Sequence, residues 1–538
     1  MMDTKLTRRS FLGVAGGTAL MLSACGGGSS NEAPAEGDAA KDSAAEGGTT
    51  GGGTLAVGSA YGPSSFDPQN CSSAFCLSAN LNVMEGLYDI DFHDYSVADG
   101  LCVGDPVWVD DNTCEITLRD GAAFSTGDKV TPEDVIHSFK RAKAEGMMYV
   151  SFLTMIESIE KKDDTTLTVK VTIPKFSLIK ERLGIIKVTP ASLSDDDAAA
   201  KPIGSGPWMY TEVSDTYVVL EPNPNYNGAH PAKDKQLRID SMTDTTARVT
   251  AQQEGTTLIS ESVPPESIAQ VEAAGSVIDQ VQGFGTRFIM FNVKKAPWDD
   301  KNARQAVMYA LNTDQMIQNA FTGLANKPTC YLPDSFANYH KAATVYSYDE
   351  AKAKELAEGV QFPATIELRT TDNAQVVAMG TQAQQDIQNA LGVTVNLTSD
   401  QSPATYAAID QADESWDILI APGDPSCFGG DTDLLLNWWY GDNIWMQTRC
   451  AWNTSEEWKQ INTLMADALT KTGDDQQKDW DQVFDIIAEQ CVLYPVLQVI
   501  TPTASWSKVP SPQGTMVENF SGIGTTGVML ADVATVTA

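Results

Sequence analysis

Apolar and polar residues alternate along this chain with two different periods. The helical period is clearest in five apolar residues at spacings of three and four, namely Ala303, Ala306, Val307, Ala310 and Leu311. This spacing predicts an amphipathic helix. Near residues 107–118 the apolar residues alternate with polar ones around an Asp-Asp-Asn turn, which predicts a β-hairpin. Helices and strands are therefore expected together, as in an α/β protein.

A second region predicts a strand, a long helix and another strand in succession. The strand at residues 364–369 is followed by Asp372, which we expect to cap a helix that ends at Leu391-Gly392. Residues 393–397 form the next apolar run. This order of elements is typical of a βαβ-like unit.

One segment combines an apolar strand with a polar loop. Residues 416–421 are apolar, and the chain then turns at Pro422-Gly423. The acidic and aromatic residues that follow are Asp424, Asp431, Asp433, Trp438, Trp439 and Tyr440. A buried strand that opens into such a loop is one way to build the wall of a ligand cleft. We hypothesise that an aspartate here binds a cationic group, and a solvated loop in which Asp424 caps its own turn is the alternative.

The amino-terminal residues predict export and a lipid anchor. Residues 7–12 read TRRSFL, which resembles a twin-arginine export signal, and the apolar run at residues 11–22 is too short for a permanent membrane span. The run leads into LSAC, which resembles a bacterial lipobox, so residues 1–24 are predicted to be a signal peptide and Cys25 the lipidated first residue of the mature protein. Residues 25–53 lack aromatic residues and are predicted to be a disordered tether. The expected location is the outer side of the cell membrane.

Length and charge limit the function classes. A chain of 538 residues is too long for one hydrophobic core, so two or three domains are expected. The formal net charge of −35 repels nucleic acid, and no nucleic-acid partner is predicted.

The cysteines predict disulfide bonds. Nine are present, and Cys25 is assigned to lipidation. An even number outside the cytoplasm favours disulfides. The candidate pairs are Cys71 with Cys76, Cys102 with Cys114, and Cys427 with Cys450, which leaves Cys330 and Cys491. Because the cysteines and the four histidines lack the spacing of a zinc site, no metal and no cofactor is predicted.

Enzyme signatures are not found in the sequence. HExxH, the phosphate-binding GxxxxGK[ST] and GxSxG are all missing. Acids are abundant, yet no pair can be singled out as an acid/base couple. The sequence therefore predicts a protein that is not an enzyme, with a secreted hydrolase as the less favoured alternative.

Several motifs resemble those of one protein family. The run ITLRDGAAFSTGDKVTPEDVIHSFKRA at residues 116–142 resembles the signature of the solute-binding proteins of peptide ABC transporters, the dipeptide- and oligopeptide-binding family (solute-binding family 5). Further segments that match in the family's order are residues 203–208, 220–231, 287–317, 346–356 and 489–499. Residues 251–260 depart from the pattern, because relatives usually carry a Gly-acid-Ile-Asp motif there.

The resemblance implies a fold and a domain organisation. The implied fold is α/β, a two-lobed periplasmic-binding-protein-like (type II) fold with mixed sheets and an extra inserted domain. The implied boundaries are residues 54–100, 203–285 and 500–538 for domain I, 101–202 for domain II and 286–499 for domain III. Chain crossings near Gly285 and Ile500 would form a hinge, and ligand would bind between domains I and III.

The resemblance also implies a binding site. Asp424 is expected to bind the ammonium group of a peptide, with Asp431 in reserve, and Arg369 to bind its carboxylate. Trp438 and Trp439 are expected to wall a side-chain pocket, and backbone near Tyr61 to face the ligand. The implied protein is a monomer that captures dipeptides or short oligopeptides and delivers them to an ABC permease. A sugar, nickel or haem ligand on the same scaffold is the alternative.

Overall fold

The computed structural model describes residues 52–537 except 72, 93, 145–146, 148, 412–414 and 524–529. The predicted signal peptide, Cys25 and all but the last two residues of the predicted tether lie outside the described residues. Within the described part of the chain, none of the helices is long and apolar enough to cross a membrane.

The strands of the described residues are, in chain order, β1 (Thr54–Ser59), β2 (Tyr88–Ile90), β3 (Val97–Asp99), β4 (Cys102–Trp108), β5 (Thr113–Leu118), β6 (Ile156–Lys161), β7 (Thr166–Val171), β8 (Trp208–Val213), β9 (Tyr217–Pro222), β10 (Gln236–Ser241), β11 (Ile259–Ser260), β12 (Val277–Phe291), β13 (Ala325–Asn326), β14 (Thr365–Thr371), β15 (Thr394–Asp400), β16 (Ile418–Gly423), β17 (Leu493–Ser505), β18 (Thr515–Glu518) and β19 (Ala534–Thr537).

The α-helices of the same residues are α1 (Ala74–Val83), α2 (Pro132–Ala142), α3 (Ile179–Gly184), α4 (Asp195–Ala200), α5 (Thr245–Glu254), α6 (Ile268–Ala274), α7 (Lys301–Ala310), α8 (Thr313–Phe321), α9 (Glu350–Ala357), α10 (Ala374–Leu391), α11 (Ser402–Asp410), α12 (Thr432–Tyr440), α13 (Glu456–Ala468) and α14 (Gly473–Gln490). Short 3-10 turns occur at Val150–Leu153, Pro265–Ser267 and Pro425–Phe428, and a π-helical turn at Trp445–Arg449.

One large mixed sheet organises the molecule. Ten of its strands follow the order β15-β14-β16-β12-β17-β11-β1-β10-β9-β8, and β13 pairs with β17. β14 is parallel to β15 and β16, and β1 is parallel to β10 and β11, whereas β12 and β17 pair antiparallel. The sheet is mixed, as the resemblance implied.

The long strands β12 and β17 connect the two halves of this sheet. Residues 277–282 pair with residues 500–505, and residues 286–290 pair with residues 493–498. The register shifts between Gln282 and Thr286 and again between Arg287 and Phe288. The first of these, which is the larger, is called the register shift below. The predicted hinge positions Gly285 and Ile500 lie at or beside this shift.

A second sheet is built from one continuous segment. It has four strands in the order β4-β5-β7-β6. The predicted hairpin is confirmed in β4 and β5, where Trp108 lies opposite Cys114. α2 begins with a cap, in which the Asp134 carboxylate accepts from the Thr131 backbone N–H at 2.9 Å.

The predicted βαβ unit is confirmed with one correction. β14 and β15 are parallel, with Leu368 opposite Leu397, and α10 connects them. The residue that caps α10 is Asn373, not Asp372, because the Asn373 side chain accepts from the backbone N–H groups of Gln375 and Val376. A capping oxygen must lie immediately before the first turn to reach these groups.

The disulfide prediction is wrong for the described residues. All eight cysteines there are free thiols: Cys71, Cys76, Cys102, Cys114, Cys330, Cys427, Cys450 and Cys491. Strand register explains one failed pair, because Cys102 lies opposite Leu118 while Cys114 lies opposite Trp108. The Cys427 thiol donates within its own turn to the Asp424 carbonyl oxygen at 3.6 Å.

Candidate functional site

Strand ends from both halves of the large sheet converge at the register shift in β12. Ser260 at the end of β11 lies opposite Ala504 of β17. The residues of β17 that precede Ala504 lead back to the shift. β16 ends at Gly423, opposite Thr286 on the far side of the shift. Loops that leave the carboxyl ends of these strands therefore face one another, which is a common position for a binding cleft.

Glu261 is the buried acid of this cleft. It follows β11 directly and is 7% exposed. Its carboxylate accepts from the Ala60 backbone N–H at 3.0 Å and from the Ser59 hydroxyl. Burial raises the pKa of Glu261, and the two hydrogen bonds and the Arg248 charge oppose that rise. The loop after β1 thus holds a carboxylate at the strand end.

Tyr61 lies in the open part of the cleft. Its side chain is 44% exposed. The surrounding protein nevertheless raises the pKa of Tyr61, first by desolvation and then through the charge of Glu261, while Arg287 lowers it and Asp424 adds a smaller rise. Tyr61 therefore shares one electrostatic environment with a cation and two acids.

Arg287 supplies the positive charge. It lies in β12 opposite Pro422, and its guanidinium donates to the Gln375 side-chain oxygen at 3.0 Å. Its Nε is buried and makes no hydrogen bond within the described residues. Burial lowers the pKa of Arg287, and the charges of Tyr61 and Asp424 oppose this.

Asp424 caps a turn with one oxygen and faces the register shift with the other. Oδ1 accepts from the Ser426 backbone N–H at 3.0 Å and from the Ser426 hydroxyl at 2.5 Å. Oδ2 lies 3.8 Å from the position that a Cβ would occupy at Gly285. The capping interpretation is therefore correct for Oδ1, and Oδ2 lies on the side of the register shift. Tyr61, Glu261, Arg287 and Asp424 are called the cleft cluster below.

Two members of the cleft cluster were missed by the sequence analysis. Glu261 directly follows residues 251–260, the segment that departs from the family pattern. Arg287 is the first residue of the matching segment 287–317, but no short motif in that segment marks it as a binding residue. Glu261 follows the short apolar run at residues 258–259. Its position was the available signal, because polar residues at strand ends often face a cleft.

Arg369 is not part of the cleft cluster. It pairs with Leu419 in register, well before Asp424 along β16. Its guanidinium lies 3.3 Å from the Asp400 carboxylate and 3.5 Å from the Ser415 hydroxyl. Arg369 is thus held by Asp400 and Ser415, and its role toward the ligand carboxylate stays a prediction.

Asp431 is held by a buried arginine. It caps α12 through the Leu434 backbone N–H at 2.9 Å, and both carboxylate oxygens accept from Arg182, at 2.6 and 2.7 Å. Arg182 also reaches Asp433 at 2.8 Å. Asp431 is therefore engaged in an ion pair and lies outside the cleft cluster.

The two tryptophans have different environments. Trp439 is 1% exposed and belongs to the core, where its aromatic neighbours are Phe284, Phe288, Tyr331 and Trp445. Trp438 is half-buried and stacks on Phe152, with ring centroids 5.9 Å apart. Phe428, which ends the turn after Asp424, also contacts Trp438 at 5.7 Å.

Comparison with known proteins gives a family match. The model for bacterial extracellular solute-binding proteins, family 5 (middle region), matches residues 103–460. A Brucella ovis protein named as an ABC transporter peptide-binding protein is 27% identical over 309 residues, which cover 54% of this chain and 57% of the Brucella protein. The match with this relative thus spans little more than half of its length.

Solved structures match over nearly the whole chain. AgaA from A. tumefaciens R10, in complex with agropinic acid, has a TM-score of 0.78 at 22% identity, covering 90% of this chain and 99% of that one. A dipeptide-binding protein from Pseudoalteromonas sp. SM9913, in complex with Met-Leu, has a TM-score of 0.77 at 18% identity, covering 89% and 99%. These similarities confirm the two-lobed α/β fold.

Proposed function

The chain belongs to the bacterial extracellular solute-binding proteins of family 5, and we propose that it captures dipeptides or short oligopeptides and delivers them to an ABC permease. Members of this family are transport receptors and not enzymes. The observation that carries the proposal is the cleft cluster, in which two acids, a tyrosine and a half-buried arginine influence one another electrostatically where the halves of the sheet join.

A zwitterionic peptide needs an anion at its ammonium group and a cation at its carboxylate. Asp424 is the proposed ammonium partner, because it follows β16 directly and its Oδ2 lies beside Gly285 at the register shift. Glu261 is a second acid that acts on Tyr61, as Asp424 does. The exposed ring of Tyr61 offers both a hydroxyl and an apolar face to the ligand.

The carboxylate partner is proposed to be Arg369, as the resemblance implied. The guanidinium is paired with Asp400 at 3.3 Å in the described structure. A ligand carboxylate would therefore have to compete with Asp400, and this competition would limit the strength of the contact. Short ligands that reach only Asp424 would depend less on the contact with Arg369.

Transport would follow from closure of the lobes around the ligand. The register shift of β12 and β17 would act as the hinge between domains I and III. Lipidation of Cys25 and a tether of about 28 residues, reaching roughly 30 Å, would keep the receptor near the membrane. We propose that the receptor acts as a monomer.

Native mass spectrometry of gently purified protein tests the function. The expected result is a series of bound masses that fit dipeptides or short oligopeptides, which disappear on unfolding and return when peptides are added. A bound oligosaccharide, a nickel complex or haem would instead assign the scaffold to another solute and overturn the peptide proposal.

A further inference from the structure

Two free thiols, those of Cys71 and Cys76, meet at the start of α1. Both residues are buried, and the two thiols are hydrogen-bonded to each other. Cys71 Sγ lies 3.7 Å from the Ser73 carbonyl oxygen. Ser73 also caps α1, because its side-chain oxygen accepts from the Cys76 backbone N–H at 3.5 Å. The cap of α1 thus holds two sulfur atoms at one place, called the thiol pair below.

The surroundings of Cys76 favour its thiolate form. Its sulfur accepts from the Ser64 backbone N–H at 3.2 Å. Cys76 is the third residue of α1, and the amino-terminal end of a helix carries a partial positive charge. The hydrogen bond from Cys71 lowers the pKa of Cys76, burial opposes this, and the Ser64 N–H lowers the pKa further. A negative charge on sulfur is therefore stabilised at this position.

Two tyrosines close to the thiol pair have hydroxyl groups that are engaged elsewhere. The Tyr149 hydroxyl donates to the Cys71 carbonyl oxygen, and the Tyr210 hydroxyl donates to the Asn80 side-chain oxygen at 2.8 Å. Among the residues that the structure describes, no three or more His, Cys, Asp or Glu side chains form a group that could hold a metal ion. The thiol pair is therefore unsuited to zinc, which takes four ligands, and suited to a soft ion that needs only two sulfur ligands.

We propose that Cys71 and Cys76 bind one Cu(I) ion, with their two sulfur atoms as its only ligands. Thiolates are ligands that select Cu(I). Binding forms two Cu–S bonds, breaks both S–H bonds and releases two protons to the solvent. The resulting copper dithiolate carries one negative charge, which the Ser64 N–H and the start of α1 stabilise. This site does not depend on the proposed peptide function.

The thiol pair lies directly beneath a surface loop. Gly62, Ser64 and Ser65 are exposed, and the Ser64 backbone N–H contacts the Cys76 sulfur. A local movement of residues 62–65 is therefore enough to admit an ion. Once the loop has returned, it shields the ion from water, and Cys71 and Cys76 lie in the hydrophobic core that includes Phe66 and Phe75.

The test titrates the reduced whole protein with Cu(I) under anaerobic conditions, in competition with the chromogenic chelator bicinchoninate. The wild type should withdraw one equivalent of Cu(I) from the chelator, and Cys71→Ala/Cys76→Ala should lose this equivalent. Cys102→Ala/Cys114→Ala is the matched control. It also removes two buried thiols, but strand register keeps these two apart, so the equivalent should be retained. Circular dichroism establishes that each variant is folded.

Two further measurements need no variant. X-ray absorption at the copper edge of the loaded wild-type protein should find two sulfur neighbours and no nitrogen or oxygen neighbour. Because two protons leave when Cu(I) binds, its affinity should rise with pH, by up to about a hundredfold per pH unit while both thiols are protonated. The known pH dependence of the chelator is subtracted from the measured competition.

Several outcomes would overturn the inference. The wild type might leave all the Cu(I) with the chelator, or the two double variants might retain it equally. Nitrogen or oxygen neighbours, or more than two sulfur neighbours, in the absorption spectrum would contradict a site made of the thiol pair alone. None of these results bears on peptide binding, so failure of this inference and failure of the proposed function are distinguishable.

Discussion

The guanidinium of Arg182 donates to both carboxylate oxygens of Asp431, at 2.6 and 2.7 Å, although 249 positions separate the two residues in the chain. The contact joins α3 to the start of α12, the helix that follows the turn of Asp424. Arg182 is fully buried and also holds Asp433. Three charges thus share one site with little access to water.

Replacing Arg182 with methionine should destabilise the protein strongly. The change leaves two carboxylates without their counterion, and loss of one partner of a buried ion pair typically costs about 3–5 kcal/mol. Urea denaturation measures the free energy of unfolding. The triple variant Arg182→Met, Asp431→Asn, Asp433→Asn should recover much of the loss, because no buried charge remains.

Lys459→Met is the matched control for the Arg182 experiment. Lys459 pairs with Glu456 at 2.7 Å on an exposed helix face, and such surface pairs contribute only about 0.2–1 kcal/mol. If Arg182→Met costs no more than this control, the buried contact does not stabilise the structure.

The pH dependence of stability should report on Asp433. Burial, its largest influence, raises the pKa of Asp433 to about 6, and Asp431 adds to the rise while Arg182 and Asn437 oppose it. The pKa in the unfolded chain is about 4. Between these values the native protein binds more protons than the unfolded chain. The stability that Asp433 contributes is therefore greatest below about pH 4 and is lost as the pH rises through about 6.

Asp433→Asn should remove this dependence. The free energies of unfolding of the variant and the wild type should differ by up to about 2.7 kcal/mol more at pH 4 than at pH 7, given about 1.4 kcal/mol per pKa unit. Denaturant titrations at several pH values measure the difference. Parallel pH profiles for the two proteins would show that Asp433 does not titrate in this range.

Asp424→Ala should weaken the binding of free peptides far more than that of N-acetylated ones. Loss of a charge-assisted hydrogen bond corresponds to about 1.5–3 kcal/mol, or roughly 10- to 100-fold in affinity. Calorimetry with each peptide in both forms measures the ratio. Asp442→Ala, which removes an exposed acid from the same region, should not change it. Equal weakening of both forms, or of neither, would disprove the counterion role.

Arg369→Gln should weaken peptides with a free carboxylate relative to their C-terminal amides. Asp400→Asn should do the reverse, because it releases Arg369 from its ion pair. Affinities for the two peptide forms, measured for both variants, test this. Arg238→Gln, which breaks an ion pair with Asp240 on β10, serves as the control. If the amides weaken as much as the free acids, Arg369 does not bind the ligand carboxylate.

Helices and strands were predicted correctly from the sequence where one apolar periodicity extended over a whole segment. The βαβ unit from β14 to β15 and the β4–β5 hairpin were predicted because apolar periodicity and turn residues depend only on near neighbours. The error at Asp372 was a shift of one residue, within a motif where either side chain is chemically able to cap.

The cysteine pairs and the site residues depended on distant contacts. Cys102 and Cys114 belong to one hairpin, yet its register separates them. Trp438 and Trp439 are adjacent in sequence, but consecutive helix positions point about 100° apart. One side chain therefore entered the core while its neighbour reached Phe152.

The sequence by itself determined the fold class and the family, because motifs and periodicity are local properties that survive in order along the chain. It also identified Asp424 as a candidate. Only the tertiary structure decided that Asp424 lies beside Gly285 at the register shift, and that Asp431 pairs with Arg182. Side chains that lie 249 residues apart meet through sheet order and packing, and no local pattern in the chain encodes which partner a charged group will find.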